Sequence, residues 1–235
     1  MAAEKARRLQ LKFEAVLFDC DGVLVDSEPI TNGVLRDMLQ EQGWALSQEE
    51  CMRMFVGKAV KDERALIELQ TKKPLTEAWL HEFRERRNQA LRLHLQVVPG
   101  AHAAVAAAFD ITQGRIACAS GADRFKVEMQ LTQVDLMPHF EGRIFSGHEM
   151  ARTKPAPDVY LAAAAHLAQR PAYCLVIEDS PAGITAGVAA GATVWAYCPE
   201  PALAQALLDA GAQQLFAHMG ALPDLWRASR NAAGV

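Results

Sequence analysis

Short apolar runs that end in polar residues and alternate with helix-patterned stretches leave this chain few folds to choose from. The runs cover residues 15–21, 115–120, 143–146, 173–179 and 193–197. Between them, residues 101–109, 123–132, 157–168 and 181–190 are Ala- or Leu-rich at helical spacing. The run Ala15-Val16-Leu17-Phe18 is continuously apolar and β-favouring, which predicts a short buried strand. Strands alternating with helices build βαβ units and a parallel sheet. Sheets of this kind bind ligands beyond the carboxyl ends of their strands.

Residues 30–95 break the rhythm. They carry helical patterns only, over 30–42, near 48–54, over 62–70 and over 75–95. Leu80, Phe83, Arg87, Ala90, Leu91 and His94 recur at helical spacing, and Pro74 and Thr76 mark the start of that last helix. A chain of 235 residues is long for one small domain and short for two full ones. The expected fold class is α/β: a Rossmann-like parallel-sheet core from residues 1–28 and 96–235, with an inserted all-helical cap domain over 29–95. Val97-Val98-Pro99-Gly100 reads as the return linker. A plain helical elaboration is the other reading of this block, but its place directly after Asp19 and Asp21 favours a cap that covers substrate and excludes bulk water.

Composition removes several classes of function. Hydrophobic residues make up 51% of the chain, enough for a sizeable core. The formal net charge is −4, and no cluster of Lys and Arg interleaved with aromatics argues for nucleic acid as a partner. Five scattered cysteines without a CxxC pair fit a reducing compartment better than a disulfide framework or a zinc site. Residues 1–12 lack a following apolar stretch of signal-peptide length, and no run approaches a membrane span. A cytoplasmic location, no membrane partner and a monomer are the expectations.

The ends of the runs carry the chemistry. In Phe18-Asp19-Cys20-Asp21-Gly22, two carboxylates at i and i+2 start on one side of a strand end, just where glycine lets the backbone turn. Such a pair repels and is costly to bury unless a cation joins it, and a divalent metal is the natural partner. The second run ends at Ser120 and Gly121, with a helix opening at Asp123. The third is followed by Lys154 within Arg152-Thr153-Lys154-Pro155, and the fourth ends in Glu178, Asp179 and Ser180 before Pro181 and Gly183. Acids, a hydroxyl beside a helix N-terminus and one lysine suit a phosphate group and Mg²⁺.

These four motifs, in this order, resemble those of the haloacid dehalogenase-type phosphohydrolases, in the branch of β-phosphoglucomutase-like sugar phosphatases. The resemblance covers nearly all of the chain after the first dozen residues. It implies Asp19 as the nucleophile that forms an aspartyl-phosphate, and Asp21 as the acid that protonates the leaving oxygen and then activates water. It implies Ser120, with backbone N–H groups near Gly121, as the holder of the phosphoryl oxygens, and Lys154 as the cation that offsets their charge. Asp19, Asp179 and the carbonyl of Asp21 would hold Mg²⁺, with Glu178 helping through a water. The loop containing Gly57, Lys58 and Lys61 resembles the family's specificity loop, and Glu28 resembles the phosphatase-type sequence at the cap hinge.

The implied activity is hydrolysis of a small phosphomonoester, a sugar or sugar-acid phosphate. Asp21 argues against the dehalogenases and the phosphonate-cleaving members, both of which lack it. Thr31 occupies the place of the mutase histidine, which favours a phosphatase over a β-phosphoglucomutase-type mutase. A non-catalytic phosphometabolite-binding module is the alternative from another class. Taken one at a time the residues are less telling: Ser120 alone reads as a cap or turn residue, and Lys154, Lys58 and Lys61 alone read as solvated lysines. Asp158 is expected to cap the following helix, Arg152, His148 and Glu149 to lie on a solvated loop, and Cys20 to pack away from the metal.

Overall fold

The structure, a computed structural model, describes residues 13–231; residues 1–12, the segment read for a signal peptide, lie outside it. The described chain divides into two compact units, Asp26–Gln96 and the remainder.

The larger unit is built on six parallel strands: β1 (Ala15–Phe18), β2 (Ile116–Ser120), β3 (Ile144–Ser146), β4 (Cys174–Glu178), β5 (Thr193–Tyr197) and β6 (Gln214–Phe216). Their order is β3-β2-β1-β4-β5-β6, with Val16 in register with Ile116 on one side and Leu175 on the other. Every residue of β1, β2 and β4 is buried. Both faces of the sheet are covered, which is why these strands read as continuous apolar runs. The chain steps from β1 outward to β3 and then returns to the other flank of β1. The β1/β4 boundary is therefore the switch point at which such sheets open a crevice.

The helices, in chain order, are α1 (Glu28–Glu41), α2 (Gln48–Phe55), α3 (Arg64–Thr71), α4 (Glu77–His94), α5 (Ala101–Ile111), α6 (Arg124–Gln133), α7 (Met137–Phe140), α8 (Asp158–His166), α9 (Pro181–Ala189), α10 (Ala204–Asp209) and α11 (Leu222–Asn231). Small residues let the covering helices lie close to the sheet: Ala163, Ala164 and Ala186 share a core with Ala117, Ala119 and Ala196. Elsewhere in this unit Phe18 meets Phe140 edge to face, 6.1 Å between centroids.

The smaller unit is helical throughout its regular structure, comprising α1–α4 and a 3₁₀ turn at Val60–Glu63. Its core holds Leu35, Met38, Leu39, Cys51, Phe55, Ile67, Leu80 and Phe83, and α1 packs on α2 and α4. Ser47 and Glu50 close a reciprocal capping box at the start of α2, and Thr76 caps α4 by accepting from Trp79 N–H. The helical spacing over 80–94 is right for Leu80, Phe83, Arg87 and Leu91, whereas His94 is exposed. It occupies the final turn of α4, on the exposed side, while Leu91 and Leu95 on either side of it are buried.

Further details refine the sequence reading. Asp158 does not cap α8: Pro157 holds the cap position, and Asp158 is the first helical residue, paired with Arg152 at 2.7 Å. Glu149 is exposed, as expected of a solvated face, and is also tied to Arg124 through two hydrogen bonds. The strand β6 and the helix α11 had no apolar run to announce them; in β6 only Phe216 is buried. All five cysteines are free and buried. Among the described residues no helix is long and apolar enough to cross a membrane.

Candidate active site

Asp19 is the first residue beyond β1, its backbone N–H still bonded across to Ile177 of β4 at 2.9 Å. The chain then turns sharply, with Gly22 N–H donating to Val25 and the Leu24 N–H to Cys20. Gly22 has φ of +79°, and a Cβ there would stand 1.9 Å from Asp179 Oδ2. No other residue fits that position, because the left-handed backbone and the close carboxylate both exclude a side chain. The glycine is what lets the loop after β1 lie against the end of β4.

A largely buried lysine, its side chain 9% exposed, joins the two strand ends. Lys154 Nζ donates to Asp19 Oδ1 at 2.6 Å, to Glu178 Oε1 at 2.7 Å and to the Ala119 carbonyl at 3.0 Å. All three ammonium protons are used, and the Tyr160 ring lies 4.8 Å from the nitrogen. Burial works against the Lys154 charge, but Asp19 and Glu178 outweigh it and hold its pKa well above the lysine range. Burial likewise opposes ionised Glu178, yet Lys154, the Ser180 N–H and Tyr160 hold its carboxyl below the usual range.

Glu178 is saturated with donors. Besides Lys154, Oε1 accepts from Tyr160 Oη at 2.9 Å, while Oε2 accepts from the N–H groups of Asp179 and Ser180 and from Ser180 Oγ. The start of α9 must pass directly beneath it: a Cβ on Gly183 would lie 1.6 Å from Oε1. Glu178 thus anchors Lys154 and the turn into α9. Tyr160, fully buried on α8, belongs to this anchor and was not singled out by its sequence setting.

Asp19 is the unresolved charge. Burial raises its carboxyl to about 7; Lys154 pulls it down, while Glu178 and Asp21 push it up. Asp19, Glu178 and Asp179 each have an oxygen within 4.8 Å of the others, but the Glu178 oxygens already accept from five donors, so Glu178 supports the site from behind. An oxygen-only set of carboxylates with more negative charge than one lysine offsets fits a hard divalent cation such as Mg²⁺.

Ser120 ends β2, next to the carbonyl that Lys154 grips, and is buried. Its Oγ accepts from Ala122 N–H at 3.1 Å, and Asp123 caps α6 through Lys126 N–H. Gly121 is exposed between them. Asp21 is met by two residues that sequence reasoning missed, Lys126 and Gln130. Their signal is faint: both fall on the buried face of α6 with Val127 and Leu131, a lysine and a glutamine where apolar residues belong.

The remaining candidates lie in the helical unit. Glu28 opens α1 and accepts from Asn32 at 2.8 Å. Gly57 has φ of +73° in the turn after α2. Lys58 pairs with Glu63 at 3.4 Å, Lys61 is exposed in the 3₁₀ turn, and Thr31 Oγ1 is buried without a hydrogen-bond partner.

Comparison with known proteins identifies the family. The family model for haloacid dehalogenase-like hydrolases matches residues 13–191. The 6-phosphogluconate phosphatase of Escherichia coli K12 is 31% identical over 219 residues, 92% of this chain and 96% of that protein. The crystal structure of a conserved haloacid dehalogenase-like protein from Agrobacterium tumefaciens matches with a TM-score of 0.80 at 32% identity, over 92% of this chain and 99% of that one. A hydrolase of the same family from Deinococcus radiodurans, solved with bound phosphate and sodium, matches with a TM-score of 0.74 at 32% identity, over 95% and 97% of the two chains. The matched span runs from the strand before Asp19 through the helix after Asp179, and on that ground the chain belongs to the haloacid dehalogenase-like hydrolase family.

Proposed function

We propose that this protein is a Mg²⁺-dependent phosphatase that hydrolyses a small phosphomonoester, a sugar or sugar-acid phosphate, through an aspartyl-phosphate on Asp19. The observation that carries the reading is the largely buried Lys154 shared by Asp19 and Glu178 at the β1/β4 switch point. A carboxylate held in that place by a cation is aimed and partly neutralised, which is what phosphoryl transfer asks of a protein.

In the first step an Asp19 carboxylate oxygen attacks phosphorus, the ester P–O bond breaks, and Asp21 gives its proton to the leaving oxygen. In the second, water attacks the same phosphorus and yields its proton to Asp21, and the bond to Asp19 breaks to release inorganic phosphate. Ser120 Oγ and N–H groups of the loop through Gly121 hold the phosphoryl oxygens, and Lys154 offsets their charge. Asp19, Asp179 and the Asp21 carbonyl would hold Mg²⁺, with Glu178 behind them; the ion supplies positive charge to the phosphoryl group. The substrate class is supported by the name of the Escherichia coli relative. Glu28, Gly57, Lys58 and Lys61 are proposed to bind or discriminate among substrates.

Phosphate release from p-nitrophenyl phosphate, with and without Mg²⁺, tests the reaction. Turnover should require the metal and vanish in Asp19→Asn; equal rates in both proteins would remove Asp19 as nucleophile. A phosphate-release screen over sugar phosphates, sugar-acid phosphates, nucleotides and phosphoglycolate tests the substrate class. Repeated with Lys58→Ala and Lys61→Ala, it should change the ranking of substrates, and an unchanged ranking returns both lysines to ordinary surface residues. Glucose 1-phosphate belongs in the screen, since isomerisation without phosphate release would make the protein a mutase.

A further inference from the structure

We propose that Lys126 and Gln130 are positioning residues that aim the Asp21 carboxylate, an inference that rests on the acid–base reading of Asp21 given above. Lys126 Nζ donates to Asp21 Oδ1 at 2.8 Å, and Gln130 Nε2 donates to the same oxygen at 2.8 Å. The two residues stand four apart on α6, so one helical face presents both. This is not a surface pair. The side chains of Lys126 and Asp21 are 8% and 15% exposed, and Gln130 is fully buried. Removing a lysine from water and fixing its long side chain is costly, and a fold gains little from an ion pair placed there for stability alone.

The amide of Gln130 is itself oriented. Its Oε1 accepts from Cys20 Sγ at 3.7 Å, which turns the nitrogen end toward Asp21. Cys20 sits between the two acids in the chain and is fully buried. Each residue from 19 to 21 is therefore tied by a different device: Asp19 by Lys154, Cys20 by Gln130, and Asp21 by Lys126 and Gln130 together. The two lysines divide the acids between them.

Two donors converging on Oδ1 fix the rotation of the carboxylate. Positioning of this kind separates the two half-reactions. A nitrophenolate leaves without needing a proton, so formation of the aspartyl-phosphate tolerates a misaimed Asp21. Water attack does not.

Rapid mixing of the Mg²⁺-loaded protein with p-nitrophenyl phosphate tests this in Lys126→Met, Gln130→Met and Lys126→Arg. General acid–base catalysis contributes about 10²–10⁴-fold, so a misaimed base in Lys126→Met should cost kcat about tenfold or more. KM should move by less than about threefold, and a burst of nitrophenolate near one equivalent per site should precede the slow turnover. Lys126→Arg, which keeps the charge and a donor, should recover part of the loss. Gln130→Met changes no charge and should show the same burst; it decides the matter if Lys126→Met does not fold.

The strictest arm is the double mutant. If Lys126 acts through Asp21, adding Lys126→Met to Asp21→Asn should change kcat no further, whereas a purely structural role would multiply the two losses. Wild-type kcat in Lys126→Met, a loss carried by KM alone, or multiplicative losses would overturn the proposal. A failure of the underlying reading looks different: there Asp21→Asn itself turns over at the wild-type rate.

Discussion

Burial pushes the Asp19 carboxyl up to about 7 while Lys154 draws it back, which leaves the proposed nucleophile partly protonated near neutral pH when no metal accompanies it. A folded-state pKa above the ordinary aspartate value means the folded protein prefers the protonated form. Its contribution to stability is present at low pH and lost as pH rises through about 7. Mg²⁺ needs the carboxylate, so it must displace this proton below about 7 and need not above it. Stabilisation by Mg²⁺ in thermal unfolding should therefore be larger at about pH 8 than at about pH 6; an equal shift at both would show that Asp19 does not meet the ion. Asp19, Asp21, Ser120, Lys154 and Asp179 stand out in the sequence because each sits at a strand end or in a short motif. Lys126, Gln130 and Tyr160 do not, since their partners lie 105, 109 and 18 residues away and no local pattern joins them.

Among the elements, the strands that carry the site are the ones the sequence shows best. β1, β2 and β4 are buried on both faces, so every residue is apolar until the functional residue interrupts the run. β6 is an edge strand of three residues with one buried side chain, and nothing in its composition distinguishes it from a loop. Helix starts follow the same logic. Ser47 and Glu50 form a complete capping box, with Ser47 Oγ accepting from Glu50 N–H at 3.1 Å and Glu50 Oε2 accepting from Ser47 N–H at 2.8 Å. Ser47→Ala should lower unfolding free energy by about 1 kcal/mol in denaturant titration and leave turnover of p-nitrophenyl phosphate unchanged. No loss of stability would mean that packing of α2 through Cys51 and Phe55 alone sets its position. At α8 the sequence misleads, because Asp158 has the residue type of a cap while Pro157 has its place.

At the scale of the whole molecule, an α/β core interrupted by helices is legible because the two parts have different hydrophobic periods: continuous short runs on one side, helical spacing alone on the other. The structure separates Asp26–Gln96 as a unit with its own core. Where the chain leaves and re-enters the larger unit, Val98 N–H donates to the Leu24 carbonyl at 3.0 Å. The exit and return segments thus pair antiparallel at Val25 and Val97, a pairing that no local sequence pattern announces. The identity of the substrate is the least legible property, since fold and motif point to a reaction class while substrate choice rests on side chains outside the motifs. The central claim concerns the reaction: a phosphoryl group passes through Asp19. Acid quench of Asp21→Asn within its first turnover, in the presence of a phosphomonoester and Mg²⁺, followed by peptide mass mapping, tests it directly. The account predicts one phosphoryl group on the peptide that carries Asp19, absent without Mg²⁺ and absent when Asp19→Asn is added; a phosphoryl group on any other residue, or turnover by the wild-type protein with none trapped on Asp19, would contradict it.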